Sequence, residues 1–179
     1  MSIQSLAVFC GSKAGNDPVY IEHAKELGQL LAKNNITLIY GGSSKGIMGA
    51  VANASLELNG NVIGIIPQVL LEWEHQHKGL TELHEVVDMH VRKSLIYDKS
   101  DAAVILPGGY GTLDELFEIL TWNQLNIHNK PVFIMNSSGF YNHLIQQLIK
   151  MEQEGFLYNP ISDKITILNT PAEFLLHMH

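Results

Sequence analysis

Nine consecutive residues, Pro107-Gly108-Gly109-Tyr110-Gly111-Thr112-Leu113-Asp114-Glu115, combine the parts of an anion cradle with two carboxylates. Glycines at 108, 109 and 111 let main chain approach a ligand closely. The helical pattern that follows presents N–H groups without intrahelical partners and the positive end of a helix dipole. Thr112 is placed either as the cap of that helix or as a hydroxyl donor to a phosphate oxygen. A plain capped turn accounts for the run less well, because ordinary turns rarely need so many glycines together. Asp114 and Glu115 are either carboxylates with chemistry to do or acids that stabilise the first helical turn. Upstream stands the cationic pair Arg92-Lys93. Met89, Arg92 and Ile96 recur at helical spacing, which gives Arg92 an apolar face. Arg92 then either points inward, toward an anionic ligand or Glu115, or snorkels to the surface while Lys93 stays solvated.

Other chemistry-bearing residues form no comparable pattern. His75, His77, His84 and His90 lie close together among nine histidines, but none stands in an H-E-x-x-H arrangement. A His-x-His pair on an irregular segment is weak evidence, and no metal is expected. Cys10 ends an apolar run and reads as a small core residue rather than a nucleophile. Gly41 and Gly46 have the spacing of a Walker A loop, but Ile47-Met48 follow where Lys-Ser/Thr is needed. The dinucleotide fingerprint fails as well, since Asp114 stands where its third glycine belongs.

The elements that must position these residues alternate along the chain. Apolar runs at 5–10, 37–40, 61–66, 102–106, 132–135 and 165–168 predict strands, with a shorter one at 85–87. Helical periodicity and punctuation predict helices over 18–34, 46–59, 88–99, 112–126, 140–154 and 171–177. Residues 68–83 are irregular and take no assignment. No linker, repeat or low-complexity tract interrupts residues 1–179, which read as one domain. Fully apolar strands alternating with helices predict a doubly wound, Rossmann-like α/β domain with a mostly parallel sheet. Such sheets bind ligands beyond the carboxyl ends of their strands. Three strands end there in glycine loops: Cys10-Gly11-Ser12, Tyr40-Gly41-Gly42-Ser43 and Leu106-Pro107-Gly108-Gly109. Gly11, Ser12, Gly42, Gly46 and Met89 therefore join the candidate ligand contacts.

The 179 residues include 11 Lys plus Arg against 18 Asp plus Glu, a net charge of −7. A nucleic-acid polymer calls for a basic face, so this balance argues against one but leaves room for a small anion. The one cysteine excludes a disulfide framework and fits a reducing compartment. No apolar run is long enough to span a bilayer, and the amino-terminal residues do not read as a signal peptide, so a soluble, cytoplasmic protein is expected.

At these residues the sequence closely resembles the LOG (Lonely Guy) family of cytokinin riboside 5′-monophosphate phosphoribohydrolases, which often carry an older lysine decarboxylase label. Its P-G-G-x-G-T-x-x-E motif stands intact at Pro107 to Glu115, and its arginine–lysine helix motif at Met89-His90-Val91-Arg92-Lys93. Cys10-Gly11-Ser12, Gly79-Leu80-Thr81-Glu82-Leu83-His84, Thr121-Trp122-Asn123-Gln124-Leu125 and Ile127-His128-Asn129-Lys130-Pro131 extend the likeness over nearly the whole chain. Ser43, Ile96 and Asp114 depart from the residues usual in that family.

The resemblance implies hydrolysis of the N-glycosidic bond of a purine nucleoside 5′-monophosphate, AMP or N6-prenylated AMP, to free base and ribose 5-phosphate. It implies Arg92 and Glu115 as the catalytic pair and Gly108, Gly109, Gly111 and Thr112 as the phosphate site. Glu74, Lys93, Tyr110, Asp114 and Thr121 would complete the pocket. No metal or organic cofactor is implied, and a homodimer is. Lysine decarboxylation would call for a pyridoxal phosphate Schiff-base lysine, and nothing in the sequence singles one out. The alternative is a nucleotide-binding carrier or sensor on the same fold without turnover, which would not need Arg92 with Glu115.

Overall fold

Runs such as VIGIIP and AAVI leave no polar face, so strands made from them must be covered on both sides. In a computed structural model, which describes residues 2–71 and 75–178, seven strands meet this requirement in one parallel sheet. They are β1 (Ser5–Phe9), β2 (Thr37–Tyr40), β3 (Val62–Pro67), β4 (Glu82–Val86), β5 (Ala102–Ile105), β6 (Val132–Met135) and β7 (Ile165–Leu168), in the order β4-β3-β2-β1-β5-β6-β7. The helices are α1 (Val19–Lys33), α2 (Gly46–Leu56), α3 (Met89–Lys99), α4 (Tyr110–Gln124) and α5 (Asn142–Gln153).

Side chains alternate across a strand, and here both sets are apolar. Leu6 and Val8 of β1 join Leu38 and Tyr40 of β2 in a core closed by Leu27 and Leu31 of α1 and Val51 of α2. Ala7 and Phe9 face the other way, into a core with Ile96 and Tyr97 of α3, Leu116 and Ile119 of α4 and Leu148 of α5. The sheet is thus covered on both faces, as expected. Among the described residues no helix is long and apolar enough to cross a membrane.

Winding reverses at β1, which pairs with β2 on one side and β5 on the other. The loops leaving β1 and β5 part there and form a crevice at the carboxyl rim. Gly11 N–H donates to the Pro107 carbonyl at 3.0 Å across that seam.

Several boundaries differ from the sequence reading. Strand β4 begins at Glu82, earlier than expected, because an edge strand with mostly part-exposed residues shows no apolar run. Asp88 is the cap of α3 rather than its first residue, its carboxylate accepting from Val91 N at 2.9 Å. Residues 137–139 form a separate short turn before α5, with Ser138 at a positive φ of 49°, and Pro171–His177 is a tighter 3-10 helix.

At the amino edge, Asp101 staples the two central strands together. One of its oxygens accepts from Gln4 N at 2.8 Å, Ser5 N at 2.9 Å and Ser5 Oγ at 2.9 Å. Burial alone would raise this carboxyl's pKa, but those hydrogen bonds and the charge of Lys130 outweigh it and lower the value. A folded-state pKa below the unfolded one stabilises the fold above the unfolded value, and the contribution disappears as pH falls through the folded one. Asp101→Asn is expected to lose roughly 1 kcal/mol at neutral pH, after solvent screening at this exposed site. Urea unfolding in strong acid should show the gap between wild type and variant closing, and an unchanged gap would contradict the staple.

Candidate functional site

Helix α4 starts at Tyr110, two residues earlier than its periodicity suggests. Gly109 is its N-cap, and no side chain caps the helix start. Thr112 therefore lies inside the helix, and the capping role expected for it is not observed. The first turn holds no acid, so Asp114 and Glu115 are not first-turn dipole partners.

The three glycines of the loop do different jobs. A Cβ on Gly108 would fall 2.1 Å from Thr112 Oγ1 and 2.9 Å from Gly11 N, so its bareness lets two loops and a side chain converge. Nothing stands within 4 Å of a Cβ on Gly109 or Gly111. Those two leave main chain open beside an uncapped helix start, the arrangement that receives an anion.

A cavity of about 370 Å³ opens at this point, and Gly11, Ser12, Met89, Arg92, Gly109, Tyr110, Gly111, Thr112, Asp114 and Glu115 all line it. Gly108 lines a neighbouring hollow of about 240 Å³ that shares Gly11, Ser12 and Gly109 with the first. Tyr20 and Phe140 wall that hollow, edge to face with ring centres 5.5 Å apart.

Arg92 points inward, at 3% relative exposure. Its Nε donates to the Ile65 carbonyl at 3.1 Å and its Nη2 to the Gly41 carbonyl at 3.3 Å, while Nη1 lies 3.8 Å from Met89 Sδ. A Cβ on Gly41 would sit 2.1 Å from Nη2, so only glycine admits the guanidinium there. Glu115, at 7% exposure, lines the same cavity. A buried cation and a buried carboxylate thus share one small space beside an anion-receptive helix start.

Other sequence candidates lie elsewhere. The Lys93 ammonium pairs with Asp114 Oδ2 at 2.7 Å and Glu118 Oε2 at 2.9 Å rather than lining the cavity. Burial opposes its charge, but the two carboxylates outweigh that and raise its pKa. Thr121 donates to the Phe117 carbonyl at 2.7 Å and borders a separate, largely apolar groove. A Cβ on Gly42 would meet Ile66 and Leu83, away from the cavity. Gly46, at a φ of 56°, lets the start of α2 press on the Ser12 main chain, where a Cβ would fall 2.4 Å away. Both shape the rim without lining the cavity. Glu74 lies outside the described residues. His77 bonds Asn53 and His84 bonds Glu82, and the described residues hold no group of three or more His, Cys, Asp and Glu suited to a metal.

Sequence reasoning passed over four contributors. Met48 and Leu70 line the cavity. The phenol of Tyr141 donates to the Leu106 carbonyl at 2.7 Å, just before the glycine loop. The phenol of Tyr97 donates to the Glu115 carbonyl at 2.8 Å. Residues 35 and 18 positions apart meet in these last two bonds, so no local pattern announces them.

Residues 48–178 match a family model described as possible lysine decarboxylase. A cytokinin riboside 5′-monophosphate phosphoribohydrolase of Arabidopsis thaliana is 47% identical over 171 residues, 96% of this chain and 80% of that protein. A protein of the same name from Rhodococcoides fascians is 43% identical over 155 residues, 86% of this chain and 78% of its own length. Among solved structures, the molybdenum cofactor binding protein of Rippkaea orientalis matches with a TM-score of 0.73, covering 99% of this chain and 96% of that one. At 22% identity, that likeness is one of fold.

The sorting of the glycines predicts opposite outcomes for two similar substitutions. Gly108→Ala is expected to cost about 1–3 kcal/mol by overpacking. Gly111→Ala should leave the melting temperature unchanged or higher, since alanine is the better helix former by about 1 kcal/mol. Equal losses in calorimetry would contradict the sorting.

Proposed function

The chain belongs to the LOG family, whose model carries the older decarboxylase description, and from that membership we propose that it hydrolyses the N-glycosidic bond of purine nucleoside 5′-monophosphates. AMP and N6-prenylated AMP are the substrates, so the activity includes that of an AMP nucleosidase. Free base and ribose 5-phosphate are the products. The observation that carries this reading is the burial of Arg92 and Glu115 in one cavity at the start of α4.

In this reading the 5′-phosphate rests on the main chain of Gly109, Gly111 and Thr112, where the dipole of α4 favours an anion. The bond from ribose C1′ to the base nitrogen breaks with its electrons leaving on the base. Positive charge then develops on the sugar ring, and the Glu115 carboxylate stabilises it. The same carboxylate takes a proton from the water that adds to C1′, and the departing base nitrogen takes up a proton as Glu115 gives its own back, so neutral base leaves and the carboxylate is restored. The Arg92 guanidinium, held rigid by the Gly41 and Ile65 carbonyls, orients the Glu115 carboxylate and supports departure of the base. Lys93 acts by holding Asp114 at the cavity wall.

Decarboxylation of lysine fits these residues poorly. A Schiff base needs a lysine amine in the site, and none of the described residues lining the cavity is a lysine. A carrier without turnover has no use for a buried arginine and glutamate, whose desolvation costs several kcal/mol.

One domain carries the activity, the single buried Cys10 suits a reducing cytoplasm, and the protein works as a homodimer. Exposed Val87, Val91, Tyr110 and Phe117 lie on or beside the two helices that carry Arg92 and Glu115, an apolar side for a second copy to cover. Analytical ultracentrifugation should give twice the chain mass, and a monomer at micromolar concentration would reject the dimer.

Activity is tested by incubating the protein with AMP and with N6-isopentenyl-AMP and separating free base by chromatography. Glu115→Gln is expected to lower kcat about 10²–10⁴-fold while nucleotide binding persists. Adenosine, which lacks the phosphate, should be a poor substrate. If neither nucleotide yields base, the hydrolase reading falls.

A further inference from the structure

Arg92 and Glu115 sit on different helices, and hydrogen bonds within a helix do not set its height against a neighbour. Among the described residues, Lys93 and Tyr97 of α3 both reach across to α4 beside them. Lys93 reaches the side chains of Asp114 and Glu118, so rotatable χ angles stand between that contact and the main chain of α4. Tyr97 reaches main chain: its phenol donates to the carbonyl of Glu115 itself at 2.8 Å. We propose that Tyr97 is a positioning residue, whose bond to that carbonyl fixes how far the Glu115 carboxylate reaches into the cavity beside Arg92. The inference rests on the hydrolase reading for its catalytic meaning, though not for its geometry.

Both ends of the tether are themselves held. Tyr97 is 1% exposed, and its ring packs at 4.8 Å from Trp122 and 5.7 Å from Phe9. Its own carbonyl, at the end of α3, accepts from the Lys130 ammonium and from Ser100 Oγ. The phenol keeps its proton, because burial and the nearby carboxylates of Glu118, Glu115 and Asp114 all raise its pKa. It therefore donates throughout the pH range in which an enzyme of this kind works. A carbonyl oxygen has two lone pairs, so a helical carbonyl can take this bond alongside its own N–H partner. Phenylalanine would fill the same apolar space without bringing a hydroxyl that needs a partner when buried. The oxygen is thus the informative atom, and it lands on the residue assigned the proton transfer.

Tyr97→Phe removes that atom and keeps the ring, so the variant should fold, as a thermal melt will verify. With AMP, kcat is expected to fall about tenfold, in keeping with the sensitivity of catalysis to ångström-scale misplacement, while KM stays within about twofold. In a Glu115→Gln background the same substitution should leave the residual rate unchanged, because the tether acts through that carboxylate. The Glu115 carboxyl carbon, identified by NMR through its loss in Glu115→Gln, should shift in Tyr97→Phe. An unchanged kcat, an equal loss in both backgrounds or an unmoved resonance would overturn the proposal. If wild type releases no base, the hydrolase reading alone falls, and the resonance still decides whether the tether sets the carboxylate.

Discussion

A guanidinium buried at the carboxyl edge of a sheet must be solvated by the protein itself. Arg92 finds that solvent in two main-chain carbonyls, Gly41 just beyond β2 and Ile65 within β3. Much of the surrounding structure answers to this arrangement. Residue 41 has to lack a Cβ, and α3 has to cross the rim at a height where the side chain spans both strands. The Asp88 cap fixes where that helix begins, and Met89 places a polarisable sulfur against the third nitrogen. A charge held this way has little freedom left to reorganise, and preorganised charge is what a transition state with developing charge requires.

Much of the cavity was legible because its chemistry is written in residue type. A glycine-rich loop before a helix and an arginine on an apolar helical face are rare combinations, and both line the cavity where the sheet reverses. The parallel sheet was equally legible, since runs such as AAVI admit no exposed face. What could not be read was direction. Gly42, Gly46, Gly108, Gly109 and Gly111 look alike in sequence, yet only the last two face open space without a neighbour. The start of β4 escapes the apolar pattern because Glu82 and His84 sit on an edge where polarity carries no penalty. Tyr97 and Tyr141 read as core aromatics, and their hydroxyls acquire meaning only from carbonyls that tertiary packing brings near. Ser43 and Ile96, two of the departures from family usage, are fully buried away from the cavity wall, whereas Asp114 lines it.

The acidic balance of the chain acquires a different meaning at this scale. Lys93 and Lys130 are engaged internally, one by carboxylates and the other by a helix-end carbonyl. The start of α4 and the buried Arg92 bring positive potential into the cavity itself, and Lys13 borders the adjoining hollow. A field confined in this way to the depth of a cavity suits a single small anion better than a polyanion.

The placement of β1 between β2 and β5 also has a consequence for how the chain is made. Its partner on one side follows within a few dozen residues, but the anchor on the other side, Asp101, lies 96 residues beyond Ser5. At about 5–20 residues per second, roughly 5–20 s of synthesis separate the two on the ribosome. Throughout that interval the central strand presents a bare edge of unpaired N–H and C=O groups, the kind of edge that recruits other strands. The seam that later shapes the crevice is thus the last part of the sheet's centre to close, and the nascent chain is most exposed to mispairing where its function will eventually reside.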